Sequence, residues 1–104
     1  MAKIFLYVEF QISKDFTEVD IKAINAQMKE FTGLKSKTWL SGINNNSLGG
    51  FYEFDSKENA QNYIDNYLAP GMALFGSLTV KLFNGDITKE ASIDMGSPFY
   101  TKGS

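Results

Sequence analysis

The stretch LKSKTWLSGINNNSLGGFYEFD, residues 34–55, decides the fold. Leu34 to Ile43 reads as one strand and Leu48 to Asp55 as the next, with Asn44-Asn45-Asn46-Ser47 as the turn between them. Asn suits that turn because it tolerates left-handed backbone and its short amide bonds nearby backbone groups. A four-residue loop pairs Ile43 with Leu48, places Trp39 opposite Tyr52 and sets Lys37 opposite Phe54. A five-residue loop would turn the second strand of the hairpin over, since a slip of one residue moves every side chain to the other face. Gly49-Gly50 signals a bulge or a close backbone approach.

Upstream of the hairpin, Ile21, Ile24, Met28 and Phe31 form one apolar stripe at helical spacing. Thr17-Glu18-Val19-Asp20 has capping-box spacing before it, and Gly33 stands where a C-terminal cap belongs. Further upstream, Lys3 to Ile12 alternates as a strand. Ile4, Leu6, Val8, Phe10 and Ile12 share one face; Phe5, Tyr7, Glu9 and Gln11 share the other.

Downstream, Asp55 and Ser56 are both N-cap residues for a helix carrying Ala60, Tyr63, Ile64, Tyr67 and Leu68. Pro70-Gly71 stops that helix, and Met72 to Gly76 reads as a turn or helical loop. Ser77 to Phe83 is the last strand, closed by Asn84-Gly85-Asp86. The order strand, helix, strand, strand, helix, strand predicts an α+β, ferredoxin-like β-α-β-β-α-β fold: a four-stranded, mostly antiparallel sheet with both helices on one face. Residues 1–104 read as one domain, with 87–104 as a C-terminal extension. Ile93, Met95, Phe99 and Tyr100 are too apolar for a free tail, so part of it is expected to pack across a partner subunit or over a cavity mouth, with the last residues frayed.

Helices on one face leave the other uncovered, and Phe5, Tyr7, Trp39 and Phe83 are expected there. An apolar sheet face of that size does not stand in water. A homodimer in which two such faces meet around a cavity is the expected solution.

Composition removes reaction classes. The chain has no His and no Cys, and all ten of its basic residues are Lys, so Arg is absent too. Disulfides, thiolate nucleophiles, Cys-ligated zinc, iron–sulfur clusters and Ser-His-Asp machinery are therefore excluded. Without Arg there is no bidentate fork for phosphate, which disfavours nucleotide chemistry. No carboxylate cluster or EF-hand loop suggests a metal. A net charge of −2 supplies no basic footprint for nucleic acid or an anionic membrane. No apolar run approaches a membrane span and no cleavable leader is visible, so a cytoplasmic protein is expected.

Trp39 with Lys37, Gly49-Gly50-Phe51-Tyr52-Glu53-Phe54 before an Asp/Ser-capped helix, and Val80-Lys81-Leu82-Phe83 together resemble the YdhR-type family of small mono-oxygenases. The resemblance runs from the first strand to just past the fourth. It implies the dimeric α/β-barrel superfamily, whose members include cofactor-independent, quinone-forming mono-oxygenases. The superfamily's haem-degrading branch holds iron through a His, which this chain lacks.

Oxygenation without a cofactor needs an electron-rich phenol or quinol in a dry cavity, a base or cation to favour its anion, and rings to hold it. Trp39, Tyr52 and Phe54 are candidate walls, joined by Tyr7 and Phe83; Lys37 or Lys81 is the candidate cation and Glu9 the candidate base. Each has a plainer reading. Trp39, Tyr52 and Phe54 also suit core or interface packing. The lysine stems also suit an apolar surface with their ammonium groups in water. Glu9 also suits pairing with a Lys. The same cavity without turnover makes a small-molecule binder, and a cavity filled by its own side chains makes a structural dimer.

Overall fold

The computed structural model describes residues 2–11, 20–71 and 76–100. The elements are β1 (Ile4–Gln11), α1 (Ile21–Met28), β2 (Leu34–Ser41), β3 (Ser47–Phe54), α2 (Lys57–Tyr63), a π-helical turn (Ile64–Leu68), α3 (Ala69–Gly71), β4 (Gly76–Asn84) and α4 (Lys89–Asp94). The sheet order is β2-β3-β1-β4 and every neighbouring pair is antiparallel. This is the expected ferredoxin-like plan. Ile12, the Thr17–Val19 part of the capping box and residues 72–75 lie outside the described residues.

The caps follow from local chemistry. Asp20 accepts a hydrogen bond from the Ala23 amide at 3.2 Å, and Ser56 accepts one from the Asn59 amide at 3.1 Å. Each satisfies a backbone donor that a helix N-terminus leaves unpaired. The helix begun at Lys57 does not stop cleanly before Pro70. It loosens into the π turn and then resumes through Gly71.

α1 and α2 cover one face of the sheet. The core there contains Leu6, Val8, Met28, Tyr52, Phe54, Ala60 and Tyr63, all buried. The hairpin register differs from the expected one by two residues: Trp39 pairs with Gly50, Lys37 with Tyr52 and Ser41 with Leu48. The loop is therefore longer, with left-handed backbone at Asn44 (φ 58°) and Asn46 (φ 54°). A slide of two keeps each side chain on its face.

The expected face of the hairpin is corrected. Tyr52 pairs with Leu6 and Phe54 with Ile4, so both aromatics lie under the helices rather than on the uncovered face. Trp39 and Lys37 go with them, for a specific reason. Lys35 is an extra residue between Leu34, paired with Phe54, and Ser36, paired with Glu53. That bulge inverts the alternation along β2, so Leu34 and Trp39 both reach the helix side.

Phe5, Tyr7, Glu9, Lys81 and Phe83 do lie on the helix-free face, together with Phe51 and Glu53. One end of this face is covered by the same chain. The Phe99 ring lies 5.1 Å from Phe51 and 5.8 Å from Phe5, and the Tyr100 hydroxyl donates to the Gly85 carbonyl at 2.6 Å. The tail thus packs on its own sheet, opposite the face that carries Trp39, and not over a cavity at that residue. The other end stays open, with Leu40 exposed, and Phe83 beside the tail also remains half-exposed. Among the described residues no helix is long and apolar enough to cross a membrane.

Candidate functional site

β2 is an edge strand, and α1 runs beside its helix-facing side. The space between them is a cavity of about 220 Å³ whose lining includes Asn25, Met28, Lys29, Lys35, Lys37 and Trp39. Lys37 is one of its lining residues. The ammonium nitrogen lies 3.3 Å from the centroid of the Trp39 ring, 4.8 Å from that of Tyr52, and 3.3 Å from Met28 Sδ, to which it donates. Gly50 makes this possible, because a β-carbon there would stand 2.5 Å from Lys37 Cε. The glycine pair's close approach is thus partly an accommodation of a lysine.

Among the described residues, ion pairs are formed by Lys3 and Lys35 with Glu53, and none by Lys37. The other charged groups lining the cavity are Lys29 and Lys35, both positive. A largely buried ammonium without a carboxylate loses hydration that nothing replaces. Burial accordingly pulls the Lys37 amine down to about 7. The two ring faces work the other way, since cation–π contact favours the ammonium by about 1–2 kcal/mol. Burial thus gives Lys37 a larger free-amine fraction near neutral pH than a surface lysine has.

Trp39 is held by its indole N–H, which donates to Asn25 Oδ1 at 3.0 Å. With that oxygen engaged, the Asn25 amide nitrogen is the end of the side chain able to donate to a ligand. Behind the site, the Tyr52 and Tyr63 hydroxyls share a hydrogen bond of 3.0 Å, and burial pushes both phenols far above their ordinary range. They stay neutral at any physiological pH. Tyr63 in turn stacks on Tyr67 at 5.3 Å, across the start of the π turn.

The structure thus gathers Lys37, Trp39 and Tyr52, with Phe54 one layer behind, stacked on Tyr52 at 6.2 Å. It separates them from the other candidates. Across the sheet, the Tyr7 hydroxyl donates to Glu9 Oε1 at 2.6 Å, and the Ser47 hydroxyl lies 3.5 Å from Glu9 Oε2. That hydrogen bond to a carboxylate raises the Tyr7 phenol. Lys81 is exposed, and Phe83 lines an open groove with Phe5, Phe51 and Phe99. Sequence reasoning missed Asn25 and Met28 as site residues. Met28 had been counted only as part of the apolar stripe. Asn25, a polar residue directly after Ile24 and three before Met28, was the available signal: an amide at the margin of a buried stripe needs a partner.

The family model described as "Putative mono-oxygenase ydhR" matches residues 5–94. No curated protein sequence matches. Among solved structures, the chain is similar to a protein of unknown function from Nitrosomonas europaea (14% identity, TM-score 0.60, 81% of this chain and 89% of that one). It is also similar to SnoaB, a cofactor-independent oxygenase from Streptomyces nogalater (12%, 0.59, 81% and 93%). A third is the monooxygenase from the Streptomyces coelicolor gene ActVA-Orf6, solved with nanaomycin D (11%, 0.59, 80% and 87%). At these identities the likeness is one of fold.

Proposed function

Since the chain belongs to the ydhR family of mono-oxygenases, we propose that it oxygenates a small phenol- or quinol-like aromatic without a cofactor, in the cavity around Lys37. The observation that carries this reading is a buried amine, its proton affinity lowered by burial, set against two aromatic rings and unpaired with any described carboxylate. Neutral Lys37 takes the phenolic proton. The resulting ammonium then faces the phenolate it has made, in a site where water is scarce and the attraction correspondingly strong.

The anion supplies the electrons. One passes to dioxygen, and the aryloxyl and superoxide radicals combine to a ring peroxide anion. Loss of water then leaves the quinone, so that phenol and O2 become quinone and H2O with no external reductant. Lys37 returns its proton to the departing oxygen. Trp39 walls the site, Tyr52 backs Lys37 from the core, and the Asn25 amide donates to the substrate oxygen. Lys81, Glu9, Tyr7 and Phe83, on the opposite face, are assigned instead to contact with a second copy. Exposed Leu40 and Phe83 favour such a homodimer, and light scattering showing a stable monomer at micromolar concentration would overturn it.

Oxygen uptake by the purified protein with a panel of quinols and polyphenols, no cofactor added, tests the activity. Turnover is expected, reduced at least about 100-fold in Lys37→Met, the lower range for loss of a general base. Uptake unchanged by that substitution removes Lys37 from the reaction.

A further inference from the structure

An amine held partly unprotonated beside aromatic walls has a second chemistry open to it, one that needs no oxygen. Three features of the site converge on it. Among the described residues, Lys37 has a thioether and two ring faces around its nitrogen, none of which holds its charge by ion pairing. Among the described residues, the other charged groups that line its cavity are Lys29 at the end of α1 and Lys35 on β2, and neither offers it a counter-ion. From β3 and α2 it faces Tyr52 and, behind it, Tyr63, whose phenols stay neutral. The cavity is also small. At about 220 Å³ it falls below the range of drug-sized sites and suits a ligand of one ring.

We propose that Lys37 is a covalent capture site for single-ring aromatic aldehydes, which it holds as imines in this cavity. The amine nitrogen adds to the aldehyde carbon. Both N–H hydrogens then leave with the carbonyl oxygen as water, and a C=N bond remains. No electrons change hands and no co-reactant is needed, so the reaction is reversible. The ring takes the place beside Trp39 and Met28. A surface lysine is disfavoured by protonation: with an ordinary value near 10.4, about one in a thousand is a free amine at pH 7.4. Lys37, brought to about 7, carries a far larger free-amine fraction there. Desolvated lysines of this kind are the ones that serve as Schiff-base residues.

The site is the one assigned above to oxygenation, but the inference rests on the cavity and its amine rather than on turnover. The test is therefore run without oxygen. The full-length protein is incubated anaerobically with benzaldehyde or 4-hydroxybenzaldehyde at pH 7.4, reduced with cyanoborohydride and mapped by peptide mass spectrometry. The expected result is a secondary-amine adduct at Lys37 formed at least about ten-fold faster than at any other lysine, given its larger free-amine fraction. That preference should vanish in denaturant. Lys37→Arg, which keeps the charge but cannot form the imine, should lose the fast adduct while remaining folded. If Lys37→Arg unfolds, the comparison of native with denatured wild-type protein still decides. An adduct spread evenly over the lysines, or equal rates at Lys37 in native and denatured protein, overturns the proposal. Neither result bears on oxygen uptake, so failure here and failure of the oxygenase reading are read separately.

Discussion

The two faces of the sheet each hold a lysine over aromatic rings, and they hold it differently. On the helix-free face, Lys3 lies 5.0 Å from the Tyr100 ring and 5.9 Å from Phe5. It also donates to Glu53 Oε2 at 2.9 Å and to the Phe99 carbonyl at 2.8 Å. On the covered face, Lys37 has rings at closer range but, among the described residues, a sulfur as its one acceptor. Lys3 is a clamp: its charge is answered within the chain and ties the tail to β1 and β3. Lys37 has its charge left open, which costs stability and confers reactivity. Similar aromatic surroundings therefore do not define a function; the counter-ion does.

Removing each lysine in turn sets this contrast its hardest test. Lys3→Met leaves Glu53, which is almost fully buried, with only Lys35 at 3.9 Å, and should cost about 2–3 kcal/mol, somewhat below the range for wholly buried pairs. Lys37→Met removes an unanswered charge and replaces it with an apolar chain of similar length, so stability at pH 7 should hold or rise. Urea denaturation of the two variants beside wild type checks both. The contrast breaks if Lys37→Met is the more destabilised.

A smaller effect should appear in the pH dependence. The folded-state value of Lys37 is about 7 and the unfolded value is near 10.5. Between these values the unfolded chain binds a proton that the native chain has released, so native stability rises with pH across that window. Below about pH 7 the penalty is fully present. From pH 7 to 9, wild type should gain about 1–2 kcal/mol relative to Lys37→Met, after allowing for residual solvent at the site. A constant difference between the two proteins would place the amine at its ordinary value. The oxygenation rate should instead rise with its midpoint near pH 7, because the base form of the folded protein carries the reaction.

The smallest change concerns Trp39, the only tryptophan in the chain. Asn25→Ala releases the indole N–H from its 3.0 Å hydrogen bond and should cost about 1 kcal/mol. Its emission maximum should shift, and phenolic ligands should quench it less steeply than in wild type. Unchanged emission would mean that Asn25 does not position the ring.

Most of the architecture was legible because hydrophobic period and caps agree from Lys3 to Phe83. β1 resolves unambiguously: Ile4, Leu6 and Val8 are aliphatic, and Phe5, Tyr7 and Glu9 are not. β3 does not, since Tyr52 and Phe54 on one side and Phe51 on the other all carry rings. Its parity depends on pairing with β1, a long-range fact that no local pattern contains. In β2 the extra residue at Lys35 breaks strict alternation, and a bulge of this kind has no composition of its own. Lys37 and Trp39 were therefore recognised as a pair but assigned to the wrong face, and Glu9 and Lys81 were grouped with residues from which the sheet separates them. The importance of Lys37 was legible in its company of aromatics; its missing counter-ion was not.

The clamp at Lys3 has a topological consequence. Its hydrogen bond to Phe99 joins residues 96 positions apart, and its own amide donates to Asp86 at 3.0 Å. The described chain is thereby drawn into a nearly closed ring, with residues 3 and 99 adjacent at one end of the sheet. A short covalent linker between them would replace a contact that already exists, while the Asn44–Asn46 turn offers exposed backbone at which the ring could be reopened. Such a circular permutant would begin and end at the β2–β3 turn and leave the spacing of every strand intact.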